Sequence, residues 1–244
     1  MTDMSFPELR TVGLDGMLIS FGDTLSEPAN RAALAFRAAV EREGWDGVEE
    51  TSTSLVSAFV RFDPLHLTHE TLRARLKELL QSADWMAADL PEGRRFFRIP
   101  TVFGTDRAPQ LAEAAEAAGL SEQEAIRSLS EARVRALTIG FAPGQPYLGE
   151  LPDDWDIPRQ QALTRSVPKG AVVVAIRQLV LFSVSTPTGW RHVGQTAFRL
   201  FRPDSDTPFV LRPGDEVQFV ATEPDKLANM ETDPDGGAEW EVIA

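Results

Sequence analysis

The residues best equipped for chemistry lie in one stretch, Gly140-Phe141-Ala142-Pro143-Gly144-Gln145-Pro146-Tyr147-Leu148-Gly149, which contains the chain's only tyrosine. Glycine opens backbone paths closed to other residues, and proline restricts the unfolded chain, so the stretch reads as an irregular but stiff loop. Such a loop can hold amide donors and a phenol ready for a ligand. It can equally be an ordered barrel loop whose Phe141, Tyr147 and Leu148 are core, and on composition alone that is the plainer reading. Arg159, Arg165 and Lys169 follow between Pro158 and Pro168. Cations beside a rigid loop can meet a carboxylate or phosphoryl group, although a solvated basic patch accounts for the spacing as well. Gly189-Trp190-Arg191-His192-Val193-Gly194 is a glycine-bounded turn. Its Trp190 either lines a pocket or covers a barrel end.

Other chemistries find less support. The histidines are His66, His69 and His192, and the first two lie near Asp63 and Glu70. A zinc site needs three or four converging ligands. This cluster spans a strand-to-helix turn, where polar residues serve as caps, so no metal is expected. The absence of cysteine excludes disulfides, thiolate metal sites and cysteine nucleophiles. The chain also lacks Gly-x-x-x-x-Gly-Lys-Ser/Thr, Gly-x-Gly-x-x-Gly and Gly-x-Ser-x-Gly. A standard phosphate loop, a dinucleotide fold and a nucleophile elbow are therefore unsupported.

The elements that must position these residues change character along the chain. Leu9 to Val12 and Met17 to Phe21 read as strands around a Gly13 to Gly16 turn. A helix follows, capped by Ser26 with Pro28 in its first turn and stopped at Gly44. Ser54 to Phe62 reads as one central strand, and Leu72, Leu76, Leu79 and Leu80 mark a helix from Thr68 to Ser82. Asp84 to Arg95 reads as a linker. Phe96 to Val102 is expected as a strand, followed by helices over Pro109 to Ala118 and from the Ser121-x-x-Glu124 capping box to Ala132. Beyond that point helical periodicity stops. Strands are expected over Val134 to Phe141, Ala171 to Ile176, Leu179 to Val184, Thr196 to Phe201 and Glu216 to Val220. The dense Pro and Gly between them indicate a barrel or sandwich. The end of the chain is expected to be loose apart from Trp240 to Ile243.

The chain has 244 residues, with 24 basic and 37 acidic side chains and a net charge of -13. That charge repels phosphate backbones, so nucleic acid is not an expected partner. No apolar run approaches the ~20 residues that a membrane helix needs, and no signal peptide is recognised at the N-terminus. A cytoplasmic location fits the lack of cysteine.

Six motifs, taken in order, resemble one family. They are Gly140 to Gly149, Pro158-Arg159, Val167 to Gly170, Gly189 to Gly194, Leu200 to Pro203 and Leu211 to Phe219. Phe21-Gly22-Asp23, Asn30-Arg31 and Val60 to Pro64 extend the likeness into the first half. The pattern resembles that of the 5-oxoprolinase B-subunit family, also labelled allophanate hydrolase subunit 1. That family includes an inhibitor of a sporulation histidine kinase and is similar to part of the carboxyltransferase region of urea carboxylase.

The resemblance implies an α+β N-terminal domain followed by a cyclophilin-like β-barrel. The expected boundaries are a small α+β domain over 1–90, a barrel with two leading helices over 91–222, and an acidic tail over 223–244. It implies a hydrolase subunit, inactive alone, that opens 5-oxo-L-proline to L-glutamate. The implied partners are a C-type subunit with a related barrel and an A-type subunit, with ATP used by the complex. The substrate contacts assigned on this basis are Phe141, Pro143, Gly144, Gln145, Tyr147, Arg159 and Trp190; no catalytic residue is assigned. The alternative is a regulatory binding protein resembling the kinase inhibitor. The chain departs from the family at several positions. Gln145 stands for a usual Phe, Glu150 for a second Gly, Leu129 for a His and Leu163-Thr164 for a repeated Pro-Arg. Ile176 to Val180 replaces a Gly-rich turn and keeps only Gln178.

Overall fold

Apolar residues alternate along Met17, Ile19 and Phe21 and along Ala58, Val60 and Phe62, and this alternation builds the first sheet. The strands β1 (Glu8–Val12) and β2 (Gly16–Ser20) pair antiparallel. Helix α1 (Glu27–Glu43) starts at Ser26, whose hydroxyl accepts from the Ala29 amide, and ends at Gly44, which takes a left-handed φ of 58°. A β-carbon is disfavoured in that conformation. β3 (Val48–Ser54) and β4 (Ser57–Phe62) complete an antiparallel sheet in the order β1-β2-β4-β3. Helix α2 (His69–Gln81) is capped by Thr68. Phe36 and Val40 of α1 and Leu72 and Leu76 of α2 pack against the apolar sheet face.

The single strand expected over Ser54 to Phe62 is corrected to a hairpin. Leu55 turns the chain with a φ of 45°, and the polar run Val48–Ser54 forms the missed partner strand. Within the expected linker, Trp85 packs edge-on against Phe36 at 5.0 Å, held by a short 3-10 turn capped by Asp84.

The computed structural model describes residues 6–243, which divide into two units with the boundary between Glu92 and Gly93. The second unit opens with β5 (Arg94–Phe103), α3 (Leu111–Ala117) and α4 (Glu122–Glu131). The Ser121 and Glu124 capping box forms as expected. There follow β6 (Arg133–Ile139), β7 (Pro146–Gly149), β8 (Thr164–Val167), β9 (Ala171–Ala175), β10 (Gln178–Leu181), β11 (Thr186–Thr188) and β12 (Arg191–Thr196). The chain ends with β13 (Glu216–Ala221), α5 (Pro224–Met230) and β14 (Glu239–Ile243). Seven strands close into a barrel in the order β12-β9-β10-β7-β6-β13-β5, because β12 also pairs with β5. β8 and β11 form a separate two-stranded sheet.

The strands β9 and β10 are buried on both faces. Val172, Val174, Leu179 and Leu181 join the main core with Phe97, Trp155 and Phe219. Val173, Ala175 and Val180 belong to a second cluster with Phe182, Trp190 and partly buried Tyr147. The residues expected to do chemistry therefore sit on the side of these strands away from the main core.

Two expectations about this unit are corrected. Thr196 to Phe201 is not a strand: the strand is Arg191–Thr196, and beyond it Phe201 makes only an isolated bridge to Phe209. The stretch after Thr222, expected to be loose apart from Trp240 to Ile243, also forms helix α5, while the excepted residues lie in β14. Leu227 is buried, and Trp240 on β14 stacks on Phe97 at 6.1 Å. β14 pairs with the Arg94 to Arg98 part of β5, while Thr101 to Phe103 pair with β12. Among the described residues no helix is long and apolar enough to cross a membrane.

Candidate functional site

A cleft of about 350 Å³ gathers Phe141, Gln145, Tyr147, Arg159 and Trp190, five of the seven residues expected to contact a ligand. The register of β7 on β10 places Tyr147 opposite Val180. The Tyr147 ring meets Trp190 edge-on, with centroids 6.2 Å apart and planes at 73°. The Trp190 amide donates to the Thr188 hydroxyl at 3.1 Å, which fixes the start of β12. The Arg159 guanidinium lies 5.2 Å from the Trp190 ring centroid, within cation–π range. Arg159 is exposed, and no described residue forms an ion pair or hydrogen bond with its side chain.

The loop of Gly140 to Gly149 folds back on itself. The Gly140 amide donates to the Gln145 carbonyl at 3.0 Å, and the Gln145 amide donates to the Ala142 carbonyl at 3.1 Å. Phe141 takes a φ of 71°, and its ring stands at the rim, 74% exposed. Gln145 is 1% exposed, in a lining that also includes apolar Val180 and Phe182. Its side-chain Oε1 is buried with no hydrogen-bond partner.

Pro143 and Gly144, also expected to contact a ligand, are not in the cleft lining. Gly144 faces the other way: with its φ of 70°, an added β-carbon would lie 3.0 Å from the Leu200 carbonyl. Glycine is needed there for the close approach of two backbones. Arg165 is also outside the cleft, and Lys169 lines a separate cavity of about 400 Å³ with Arg107 and Arg199.

Sequence reasoning missed the residues that position the site. The Gln160 amide donates to the Gly189 carbonyl at 2.7 Å, and its side-chain Nε2 donates to the Trp190 carbonyl at 2.9 Å. Its Oε1 accepts from Gln110 Nε2 at 2.7 Å. Gln110 Oε1 in turn accepts from the His192 amide at 2.9 Å. The two glutamines thus tie the segment carrying Arg159 to β12 and to the start of α3. Neither residue belongs to a recognisable motif; Gln110 stands at a helix start without capping it.

The histidines serve local structure. His66 Nδ1 contacts Asp63 Oδ2 at 2.5 Å; the Asp63 carboxyl is held below its ordinary value by the Leu65 amide and then by His66, and Asp63 raises the His66 imidazole. His69 bonds the Leu14 carbonyl at 2.7 Å and sits edge-on to Phe62. His192 is buried on β12, and burial pushes its imidazole below the ordinary value. No group of three or more His, Asp or Glu among the described residues could hold a metal.

Residues 7–211 match the family described as carboxyltransferase domain, subdomain C and D. The chain is similar to the B subunit of 5-oxoprolinase from Bacillus subtilis, with 31% identity over 215 residues covering 84% of this chain and 88% of that one. Among solved structures it is similar to TTHA0988, at 30% identity and a TM-score of 0.71 over 88% of this chain. It spans only 40% of the TTHA0988 chain. The urea amidolyase of K. lactis shares the fold at 18% identity and a TM-score of 0.71, covering 96% of this chain and 16% of that one.

Proposed function

The chain belongs to the carboxyltransferase-domain family, subdomain C and D, and from that premise we propose that it is one subunit of an ATP-dependent 5-oxoprolinase. In this reading it binds 5-oxo-L-proline, which the assembly opens to L-glutamate. The partners are a C-type subunit with a related barrel and an A-type subunit, in the cytoplasm, and this chain's barrel is of the cyclophilin-like kind. The observation that carries the reading is Arg159, an unpaired cation over the face of Trp190 in an aromatic cleft. A five-membered ring can lie against Trp190 and Tyr147 while its carboxylate meets the guanidinium.

The reaction breaks the ring C–N bond, leaving the nitrogen as an amine and the carbonyl carbon as a carboxylate. An amide resists this; transfer of the terminal phosphoryl group of ATP to its oxygen releases ADP and opens that carbon to attack by water, and phosphate and the ring nitrogen then leave the carbon. Among the described residues Arg159 is the one cation in the cleft lining, and no glycine-rich phosphate loop adjoins it. Those residues do not fit a triphosphate, so ATP binding is assigned to another subunit. The role of this chain is to hold the ring, orient its carboxylate and shield it from water on one side.

The test is co-expression with the adjacently encoded candidate subunits, followed by an assay of ADP release that depends on 5-oxoproline. Arg159→Ala is expected to cut turnover at sub-saturating substrate by at least about tenfold, the worth of one charged hydrogen-bonding group. Unchanged turnover in a folded Arg159→Ala complex sinks the role given to it. A second reading, a regulatory binding protein, draws on Phe141 and Leu163, apolar residues exposed at 74% and 69% on the cleft rim. Recovery of a histidine kinase without a C-type subunit in a pull-down favours that reading.

A further inference from the structure

We propose that the Gln145 side chain reads the lactam edge of the substrate and makes the cleft selective for cyclic amides. This inference rests on the reading of the cleft given above. Gln145 is 1% exposed, and its backbone amide and carbonyl are both consumed by the turn with Ala142 and Gly140. That turn fixes where the side chain starts. Neither end of its carboxamide bonds to a described residue, and Oε1 is fully buried. A carbonyl oxygen buried without a partner is rare in folded proteins, because it loses its hydration and gains nothing in return. Of its neighbours in the lining, Val180 and Phe182 are apolar, and the Thr188 hydroxyl, which accepts from the Trp190 amide, makes no hydrogen bond to it.

The chemistry of the missing partner follows from the carboxamide itself. It presents a C=O acceptor and an N–H donor side by side. The complementary edge also carries a donor and an acceptor side by side. A lactam has that edge, because the ring holds its amide cis, so that N–H and C=O point the same way. An open-chain secondary amide is trans and shows its two groups on opposite sides. A carboxylate offers two acceptors and repels Oε1. The cleft therefore orients its ligand with the lactam edge inward on Gln145 and the carboxylate outward toward exposed Arg159.

Calorimetric titration of the purified chain with 5-oxo-L-proline and with cyclopentanecarboxylate tests this. The second ligand keeps the ring and carboxylate but lacks the lactam edge. The wild type is expected to prefer 5-oxo-L-proline by about tenfold or more, the worth of two net hydrogen bonds. In Gln145→Met, of similar size and shape, the preference is expected to fall to within about twofold. A variant that keeps the full preference overturns the role of Gln145 and leaves the cleft reading standing. Equal binding of both ligands by the wild type does the same. If the wild type binds neither ligand, the cleft reading fails, and the role of Gln145 fails with it. Circular dichroism of the variant verifies that it is folded.

Discussion

Gln145 and Arg159 are two residues of the cleft whose chemistry folding does not explain. Gln145 carries a carboxamide whose buried Oε1 has no partner, which costs roughly 1–3 kcal/mol relative to an apolar side chain of the same shape. Gln145→Met is therefore expected to raise the melting temperature of the ligand-free chain, at about 2–4 °C per kcal/mol for a chain of this size. Differential scanning calorimetry measures it, and a clear drop would mean that the fold already satisfies the amide. A gain in stability with a loss of selectivity is the usual mark of a residue kept for binding. Tyr147 and Trp190 were legible at this scale because one is the sole tyrosine and the other sits in a glycine-bounded turn. Gln160 and Gln110 were not, because an uncharged amide in an irregular segment has no periodicity or motif, and its partners lie far along the chain.

Among the elements, β13 has the most demanding placement. It runs parallel to β5 and antiparallel to β6, so it must be brought in at the right register from a long connection. Asp215, immediately before it, accepts from Arg95 Nη2 at 2.5 Å, from the Arg95 amide at 3.1 Å and from the Arg212 amide at 2.8 Å. The carboxylate side chain is 3% exposed. In the sequence Asp215 was only part of a family marker; in the fold it pins the start of β13 to β5. Asp215→Ala leaves half-buried Arg95 without its counter-charge and is expected to cost about 1.5–3 kcal/mol in urea unfolding, the worth of hydrogen bonds to a charged group. A loss below about 1 kcal/mol would remove this role from Asp215. The β9–β10 turn shows a similar compensation. Ile176 and Arg177 have φ of 43° and 58° without glycine, and Arg177 bonds the Leu151 carbonyl at 2.9 Å and Asp153 at 3.1 Å. The short strands β7, β8 and β11 escaped sequence reading because three or four residues cannot establish a period of two.

Across the whole molecule, His192 is a buried imidazole held below its ordinary value, chiefly by burial. The folded chain keeps it neutral, whereas the unfolded chain takes up a proton as pH falls below about 6.5. Its contribution is fully present above that value and is lost as pH falls further. Replacing His192 with Leu is expected to shrink the loss of stability between pH 7 and pH 5 relative to wild type, as read from urea midpoints. Equal losses in the two proteins would assign the acid sensitivity to carboxylates. The sequence by itself determined the family, the change from helical to barrel patterning and most of the aromatic and cationic residues of the cleft. Those are local facts: periodicity, turn residues and ordered motifs are written in neighbouring positions. Only the tertiary structure decided that Gly144 turns away while Gln145 faces in, that Asp215 locks two strands and that the stretch after Thr222 joins the barrel sheet. Each depends on which distant backbone comes within hydrogen-bonding distance, and barrel closure, which pairs β12 with β5, sets that.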